Sequence, residues 1–248
     1  MRLLFLSIIS ILLLNFCSAF QKQNPQILLV TGGHSFDTTE FFDFFMNLEN
    51  YDIDTISQPV ANEFLLTDEG QSYDAYIFYD MWKIIEEDHK KAYLDLTEKG
   101  KGLLFLHHSV VSYQNWDEFF NIIGGRYVAA ETTTDTSRYS DYKHDLDLEI
   151  KILDTEHAVT NGLSNFTIHD EGYSNLELSA NIHPLLGTDH PDCNSLLAWT
   201  NKYRNSDIVY LIFGHDKNAY VDEDFQKLIY NSLEWMGSRH ASTIQLSK

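Results

Sequence analysis

Cysteine is scarce in this chain, which has 248 residues and two cysteines, Cys17 and Cys193. Because Cys17 lies in an N-terminal run that we expect to be removed, Cys193 is left alone, and one thiol forms no intramolecular disulfide. Proline is also scarce, with four residues, so no proline-rich linker divides the chain. The length suits one large domain, predicted over residues 20–237, whose stability comes from its hydrophobic core.

Basic residues are few: 17 Lys and Arg stand against 37 Asp and Glu, a formal net charge of −20. A surface this negative repels phosphate backbones, so we expect no nucleic-acid partner. Neutral sugars, cations and basic ligands are all compatible with it. Acidity also favours solubility, so charge alone does not choose among these ligands.

The N-terminus has the pattern of an export signal. Arg2 is followed by an apolar run that ends at Phe16 and then by small residues up to Ala19. We therefore predict a signal peptide over residues 1–19 and an exported protein, periplasmic or secreted. The run is too short for a comfortable membrane span. A lipid anchor on Cys17 is the rival interpretation, which the bulky Phe16 disfavours.

Apolar runs alternate with helical spacing along the rest of the chain. The predicted strands are Ile27–Val30, Tyr51–Ile56, Ala75–Tyr79, Gly102–Leu106, Leu148–Leu153, Leu196–Thr200 and Ile208–Phe213. The predicted helices are Phe36–Leu48, Glu86–Lys99, Asn115–Ile123 and Asp222–Met236. Continuous apolar strands alternating with helices predict an α/β fold, a doubly wound sheet. Two segments lack this pattern: a polar stretch from Ala129 to Lys143, long enough for a lid or an insertion, and a C-terminal tail over 238–248.

Three predicted strands end in histidine. The first leads to His34, the fourth to His107 and His108, and the last to His215. If these strands are parallel, their carboxyl ends open onto one edge of the sheet, where ligands bind in such folds. Neighbouring side chains on a strand alternate, so one of the two adjacent histidines should face the cleft while the other packs.

Several chemistries are compatible with these residues. Histidine with carboxylate suits a divalent metal such as zinc, although no local metal motif is present and the sequence requires no cofactor. Ser109 lacks the glycines of a nucleophile elbow, which disfavours a Ser–His–Asp hydrolase. General acid–base catalysis by histidine and glutamate is the third possibility. Trp116, Tyr173 and Tyr220 can line a sugar pocket or belong to the core.

Five ordered motifs resemble the trehalose-utilisation, ThuA-like family over about residues 26–237. They are GLLFLHHSVVSYQNW, IIGGRY, KHDLDLEIKILDTEHAVTNGL, FTIHDEGY and LAWTNKYRNSDIVYLIFGHD. The resemblance implies a flavodoxin-like, mostly parallel sheet with helices on both faces, related to class I glutamine amidotransferases. It also implies a link to the catabolism of trehalose-type or keto-sugars.

The resemblance carries over to particular positions: His34, His108, His144, His157, Glu171 with Tyr173, and His215. One departure is Ala158, where the family continues the His157 motif with proline, and we expect His157 to be a structural, turn-capping residue. The related amidotransferases place a cysteine after the fourth strand, where this chain has histidines. The resemblance therefore argues against thioester chemistry and glutaminase activity.

We predict an exported, sugar-active enzyme on these grounds. The expected catalytic residues are His108, His215 and Glu171, with His108 and His215 as the pair that would hold a metal. The expected substrate-binding residues are His34, Trp116, Tyr173, Tyr220 and His144. Two alternatives stay open: a non-catalytic carbohydrate-binding accessory protein of a polysaccharide-utilisation system, and an amidase-type hydrolase derived from the amidotransferase fold.

Overall fold

The computed structural model describes residues 23–246, with side chains as far as Gly237. The expected signal peptide, residues 1–19, lies outside the described residues. Among the helices that the structure does describe, none is long and apolar enough to cross a membrane.

Residues 23–246 form eleven strands and six α-helices. The strands are β1 (Gln26–Gly32), β2 (Asp52–Ser57), β3 (Ala75–Asp80), β4 (Gly102–Leu106), β5 (Gly125–Arg126), β6 (Asp141–Ile152), β7 (Phe166–Ser174), β8 (Glu177–Leu178), β9 (His183–Gly187), β10 (Leu196–Tyr203) and β11 (Ser206–Leu211). The helices are α1 (Thr38–Phe45), α2 (Val60–Phe64), α3 (Glu87–Glu98), α4 (Asp117–Ile123), α5 (Lys217–Tyr220) and α6 (Glu223–Leu246). Nine strands form one sheet in the order β2-β1-β3-β4-β11-β10-β9-β6-β7, and β5 pairs with β8.

The sheet has a parallel half and an antiparallel half. Strands β2, β1, β3, β4 and β11 are parallel. Every residue of β3, β4 and β11 is buried, as expected for parallel strands covered on both faces. Strands β10, β9, β6 and β7 extend the sheet in antiparallel fashion. The predicted α/β sheet is confirmed, and β1, β4 and β11 do end on one edge.

Aromatic contacts show that helices cover both faces of the sheet. Phe78 of β3 stacks on Phe105 of β4 at 4.8 Å between ring centroids, and Phe105 meets Phe119 of α4 at 5.6 Å. The next residue of β3, Tyr79, points to the other face because side chains alternate along a strand. There its ring lies 4.5 Å from that of Phe41 in α1.

The segment from Ala129 to Lys143 is ordered rather than a free loop. It contains two short 3₁₀ turns, and then β6 begins at Asp141. The side-chain amide of Asn175 donates to the carbonyl oxygens of Ser137 at 3.1 Å and Tyr139 at 2.8 Å. Hydrogen bonds from a distant residue thus order a stretch in which the sequence shows no apolar periodicity.

One helix boundary and two strands differ from the sequence prediction. Helix α6 continues past Met236 to Leu246, so most of the expected tail is helical. Strand β7 was not predicted because its centre is charged, with Asp170 and Glu171 in adjacent positions. Strand β9 was not predicted because it is short and begins with His183 followed by proline.

Candidate functional site

His107 occupies the sharp turn at the end of β4. Its φ of +47° is a left-handed conformation that bulky residues rarely adopt, and the residue is buried. The Nδ1–H of its ring donates to the carbonyl oxygen of Ile212 at 2.7 Å. The backbone carbonyl oxygen of His107 accepts from the hydroxyl of Tyr210 at 3.0 Å. The first bond fixes the ring and the second fixes the backbone, and Nε2 then lies 2.9 Å from Oε2 of Glu171. Strained residues of this kind concentrate at functional sites.

Glu171 reaches the same point from β7. Lys143 of β6 pairs with Gly172, and the next pair is Leu146 with Asp170, so two residues of β6 oppose Glu171. This is a β-bulge, a feature that redirects side chains and is common beside active sites. Within the bulge, His144 turns its Nδ1 to 3.4 Å from Oε1 of Glu171.

His215 is held in place by the carboxylate of Asp170. The backbone N–H groups of Gly214 and His215 donate to Asp170 at 2.7 Å and 3.0 Å, and that of Glu171 donates at 2.8 Å. Asp170 is 2% exposed. One buried carboxylate therefore ties the turn after β11 to the strand that carries Glu171, and this fixes His215 relative to Glu171.

Three ligand atoms converge as a result, in what we call the His–Glu cluster: His107, Glu171 and His215. Nε2 of His107 lies 2.9 Å from Oε2 of Glu171, and Nδ1 of His215 lies 3.1 Å from the same oxygen. The two imidazole nitrogens are 3.3 Å apart. In the part of the chain that the structure describes, this is the one group of three such residues whose ligand atoms lie within 4.8 Å of one another.

The charges of the cluster are set by the contacts of Glu171. Burial raises the pKa of this carboxyl, but hydrogen bonds from His107 and His215 outweigh burial and lower the pKa well below its usual range. The hydrogen bond to Glu171 raises the pKa of His215, and burial opposes it more weakly. The geometry thus favours an ionised glutamate with positive charge beside it.

His108 does not occupy the position that the sequence suggested. It is 2% exposed, and its ring lies 4.4 Å from that of Tyr79 and 4.8 Å from that of His34. Burial, followed by the neighbouring His107 and His34, lowers the pKa of His108 well below the usual value. Of the expected pair His108 and His215, only His215 lies in the cluster. His107 lies beside it, because the left-handed turn at His107 directs that side chain towards Glu171.

Two of the expected substrate-binding residues border the cluster on its open side. The side chain of His144 is 49% exposed, and its ring lies 4.6 Å from that of His215. His34 is exposed, 6.3 Å from the ring of His215. Partial burial of its ring and the nearby His107 lower the pKa of His34.

The three expected aromatic residues are all buried. Tyr173 stacks on His107, and its hydroxyl lies 3.1 Å from Nε2 of that residue. Tyr220 is 1% exposed behind the cluster and donates to the carbonyl oxygen of His215 at 3.2 Å. Trp116 packs against Phe119 in the core, with 6.1 Å between the ring centroids. The structure therefore brings Tyr173 to the cluster and leaves neither Tyr220 nor Trp116 a free face for a ligand.

The remaining candidates have structural roles. His157 caps a 3₁₀ turn by accepting from the N–H of Val159 at 3.2 Å, as expected. Ser109 is buried, and its hydroxyl has no hydrogen-bond partner. Burial raises the pKa of the Cys193 thiol to about 11, so the thiolate is rare at neutral pH. Neither side chain is equipped as the nucleophile of an amidase.

Sequence reasoning missed His107 as a cluster member and Asp170 as its anchor. The sequence contained one signal for His107, since it directly follows the fourth strand at the turn where the related amidotransferases keep their cysteine. The family resemblance favoured Glu171, but spacing along the chain did not separate it from Asp170, because the role of each depends on the loop after β11.

The fold and the residues match one described family. The family model "ThuA: Trehalose utilisation" matches residues 26–236. A ThuA-like protein from Parabacteroides merdae has 18% sequence identity and a TM-score of 0.72, over 86% of this chain and 90% of that one. A ThuA-like protein from Bacteroides uniformis has 17% identity and a TM-score of 0.67, over 89% and 95%. PurLQS from Thermotoga maritima has 11% identity and a TM-score of 0.54, over 86% and 99%. No curated protein matches the sequence.

Proposed function

The chain belongs to the ThuA family, whose description is trehalose utilisation, and on this premise we propose that its His–Glu cluster binds a divalent cation and acts on a sugar. The substrate class is a trehalose-type or oxidised (keto-) sugar or glycoside. The reaction is a hydrolysis, elimination or isomerisation in which histidines transfer protons. The observation that carries the proposal is the convergence of three ligand atoms on one point.

The hydrogen bonds of His107 explain why this convergence calls for a cation. Its Nδ1–H is committed to the carbonyl oxygen of Ile212, so Nε2 can contact Glu171 in two ways: with a second proton on the ring, which makes the hydrogen bond described above, or through a metal ion that takes the place of that proton. Two lone pairs 2.9 Å apart repel each other unless a proton or a metal ion lies between them. His215 adds a third ligand atom to the same point.

The separations within the cluster fit a metal ion. Nitrogen and oxygen ligands lie about 2.0–2.2 Å from zinc, so neighbouring ligand atoms of a tetrahedral shell are about 3.3 Å apart. The observed separations are 2.9, 3.1 and 3.3 Å. The bond from His107 to the Ile212 carbonyl is also the kind of outer contact that orients metal-binding histidines.

The groups around the cluster have distinct roles in this scheme. A divalent ion would supply a Lewis acid for a carbonyl or hydroxyl oxygen of the sugar. His34, with its lowered pKa, is neutral at physiological pH and suited to take a proton. His144 is half-exposed beside His215 and can return a proton. The buried ring of His108 packs against that of His34, with 4.8 Å between the centroids.

Metal content and turnover test this proposal. Protein purified without an affinity tag should bind about one zinc or similar ion, and chelation should abolish turnover of trehalose or of a keto derivative of it. His107→Ala should lose the ion. His183→Ala is the matched control, because this half-exposed histidine is also paired with a carboxylate, Asp154 at 2.7 Å, outside the cluster. A His107→Ala protein that retains the ion would refute the cation site.

A non-catalytic protein would give a different result in the same experiment. If protein loaded with the ion binds sugar but does not turn it over, the alternative of a carbohydrate-binding accessory protein is favoured over an enzyme. Turnover that survives chelation but is lost in His107→Ala would favour acid–base catalysis by the His–Glu cluster over cation-assisted catalysis.

We also propose export of the protein, which rests on the leader-like residues 1–19. Mass spectrometry of the mature protein should find an N-terminus at Phe20. An N-terminus at Met1 would refute it, and a lipid on Cys17 would select the anchored alternative.

A further inference from the structure

Tyr142 is an exposed aromatic residue beside the His–Glu cluster. It is 54% exposed, and Tyr230 at 37% is the next most exposed aromatic side chain in the described part of the chain. The ring of Tyr142 contacts that of His144 edge to face, with 5.2 Å between the centroids. His144 in turn contacts both His215 and Glu171. One flat apolar face therefore stands in solvent directly next to a polar cluster.

The pairing of β6 with β7 holds Tyr142 in this position. Tyr142 lies directly opposite Tyr173, so the two side chains share one face of the sheet. Tyr173 stacks on His107 at 5.1 Å, which places this face against the cluster. The regular pairing extends to Lys143, and the bulge that follows it turns His144 towards Glu171.

A second tyrosine, Tyr127, contacts Tyr173 on the same side. Tyr127 is half-buried, and its ring meets that of Tyr173 at 5.6 Å. Burial raises the pKa of Tyr127 to about 12, with smaller contributions from Asp141, Tyr142 and Glu171. Its hydroxyl is therefore protonated at neutral pH and able to donate a hydrogen bond.

This combination matches the chemistry of a pyranose ring. One face of such a ring carries C–H groups that pack on a flat aromatic surface, while its hydroxyls need hydrogen-bond partners at the edge. Tyr142 offers the flat surface, and the half-exposed His144 offers a polar partner beside it. The buried Trp116 and Tyr220 offer no such surface.

We propose that Tyr142 is the platform on which a sugar ring stacks, with the hydroxyls of that ring directed at the His–Glu cluster. This inference rests on the proposed action on a sugar and identifies the residue that determines ring binding. Because stacking uses the face of the ring and not its hydroxyl, phenylalanine should replace Tyr142 and alanine should not.

Saturation-transfer NMR tests the platform with trehalose, maltose and methyl α-glucopyranoside as probes. For wild type, saturation should reach the C–H protons of one ring face of at least one probe. Tyr142→Ala should weaken binding of that probe about tenfold, while Tyr142→Phe should stay within about twofold of wild type. Tyr230→Ala is the matched control, since it removes the other exposed tyrosine and should change nothing.

Zinc titration of the same proteins separates this inference from the cation site. Equal probe binding by wild type and Tyr142→Ala, or no binding of any probe by wild type, would overturn the platform even if zinc binds normally. If wild type binds no zinc but its sugar binding depends on Tyr142, the cation site is refuted and the platform is supported.

Discussion

Replacing Asp170 by Asn tests how the His–Glu cluster is assembled. The change keeps the size and shape of the side chain but converts one carboxylate oxygen into an NH₂ group. The oxygen that accepts from the N–H groups of His215 and Glu171 can remain an acceptor. The oxygen that accepts from Gly214 at 2.7 Å becomes a donor that faces another donor. The turn that carries His215 therefore loses its shortest tie to β7.

The expected magnitudes follow from these contacts. Loss of one hydrogen bond to a charged group costs about 1.5–3 kcal/mol of unfolding free energy. Residues that orient metal ligands typically change metal affinity 10–100-fold when replaced. We therefore expect Asp170→Asn to fold with reduced stability and to bind zinc about 10–100-fold more weakly than wild type.

Calorimetric zinc titration and urea unfolding measure the two effects. Asp147→Asn is the matched control, because Asp147 is an exposed aspartate of the neighbouring strand that binds His169 at 2.8 Å. Its unfolding free energy should stay within about 0.5 kcal/mol of wild type, and its zinc affinity should not change. With cobalt bound in place of zinc as a spectroscopic probe, the d–d spectrum should shift in Asp170→Asn and not in Asp147→Asn. Unchanged zinc affinity and an unchanged cobalt spectrum in Asp170→Asn would refute the positioning role.

Three further predictions concern the surroundings of the site. Burial raises the pKa of Asp80 from 3.8 to about 7. The protonated side chain therefore favours the folded state fully below about pH 4. This contribution to the free energy of unfolding, up to about 4 kcal/mol, is lost as the pH rises through 7. Asp80→Asn should therefore gain stability relative to wild type between pH 4 and 8 in urea unfolding, and parallel pH profiles would contradict this. A Cβ at Gly172 would lie 2.1 Å from Sγ of Cys193, so Gly172→Ala should cost about 1–3 kcal/mol and Cys193→Ala should restore much of it; additive losses in the double variant would contradict the clash. Trp116→Ala should cost about 3–5 kcal/mol because the ring belongs to the core, yet leave zinc and sugar binding unchanged; weakened sugar binding would return Trp116 to the site.

The fold was predictable because its signals are local. The apolar runs of β1, β3, β4 and β11 are continuous, which is what parallel strands covered on both faces require. The prediction that histidines at three strand ends meet on one edge follows from the same parallel order. Strand β7 was missed because its charged residues face partners that are far away in the chain, so local hydrophobicity does not mark it.

The site was predictable in composition but not in geometry. The sequence offered His215 at a strand end and, through the family resemblance, Glu171; strand alternation allowed only one of two adjacent histidines to face the cleft and join them. Which one joins depends on the left-handed turn at His107 and on its bond to the Ile212 carbonyl, both of which exist only once β4 and β11 are paired. Likewise, Asp170 becomes an anchor only when the loop after β11 folds against β7. Residue types and their order along the chain thus fix which groups are available, and tertiary pairing of distant strands decides which of them touch.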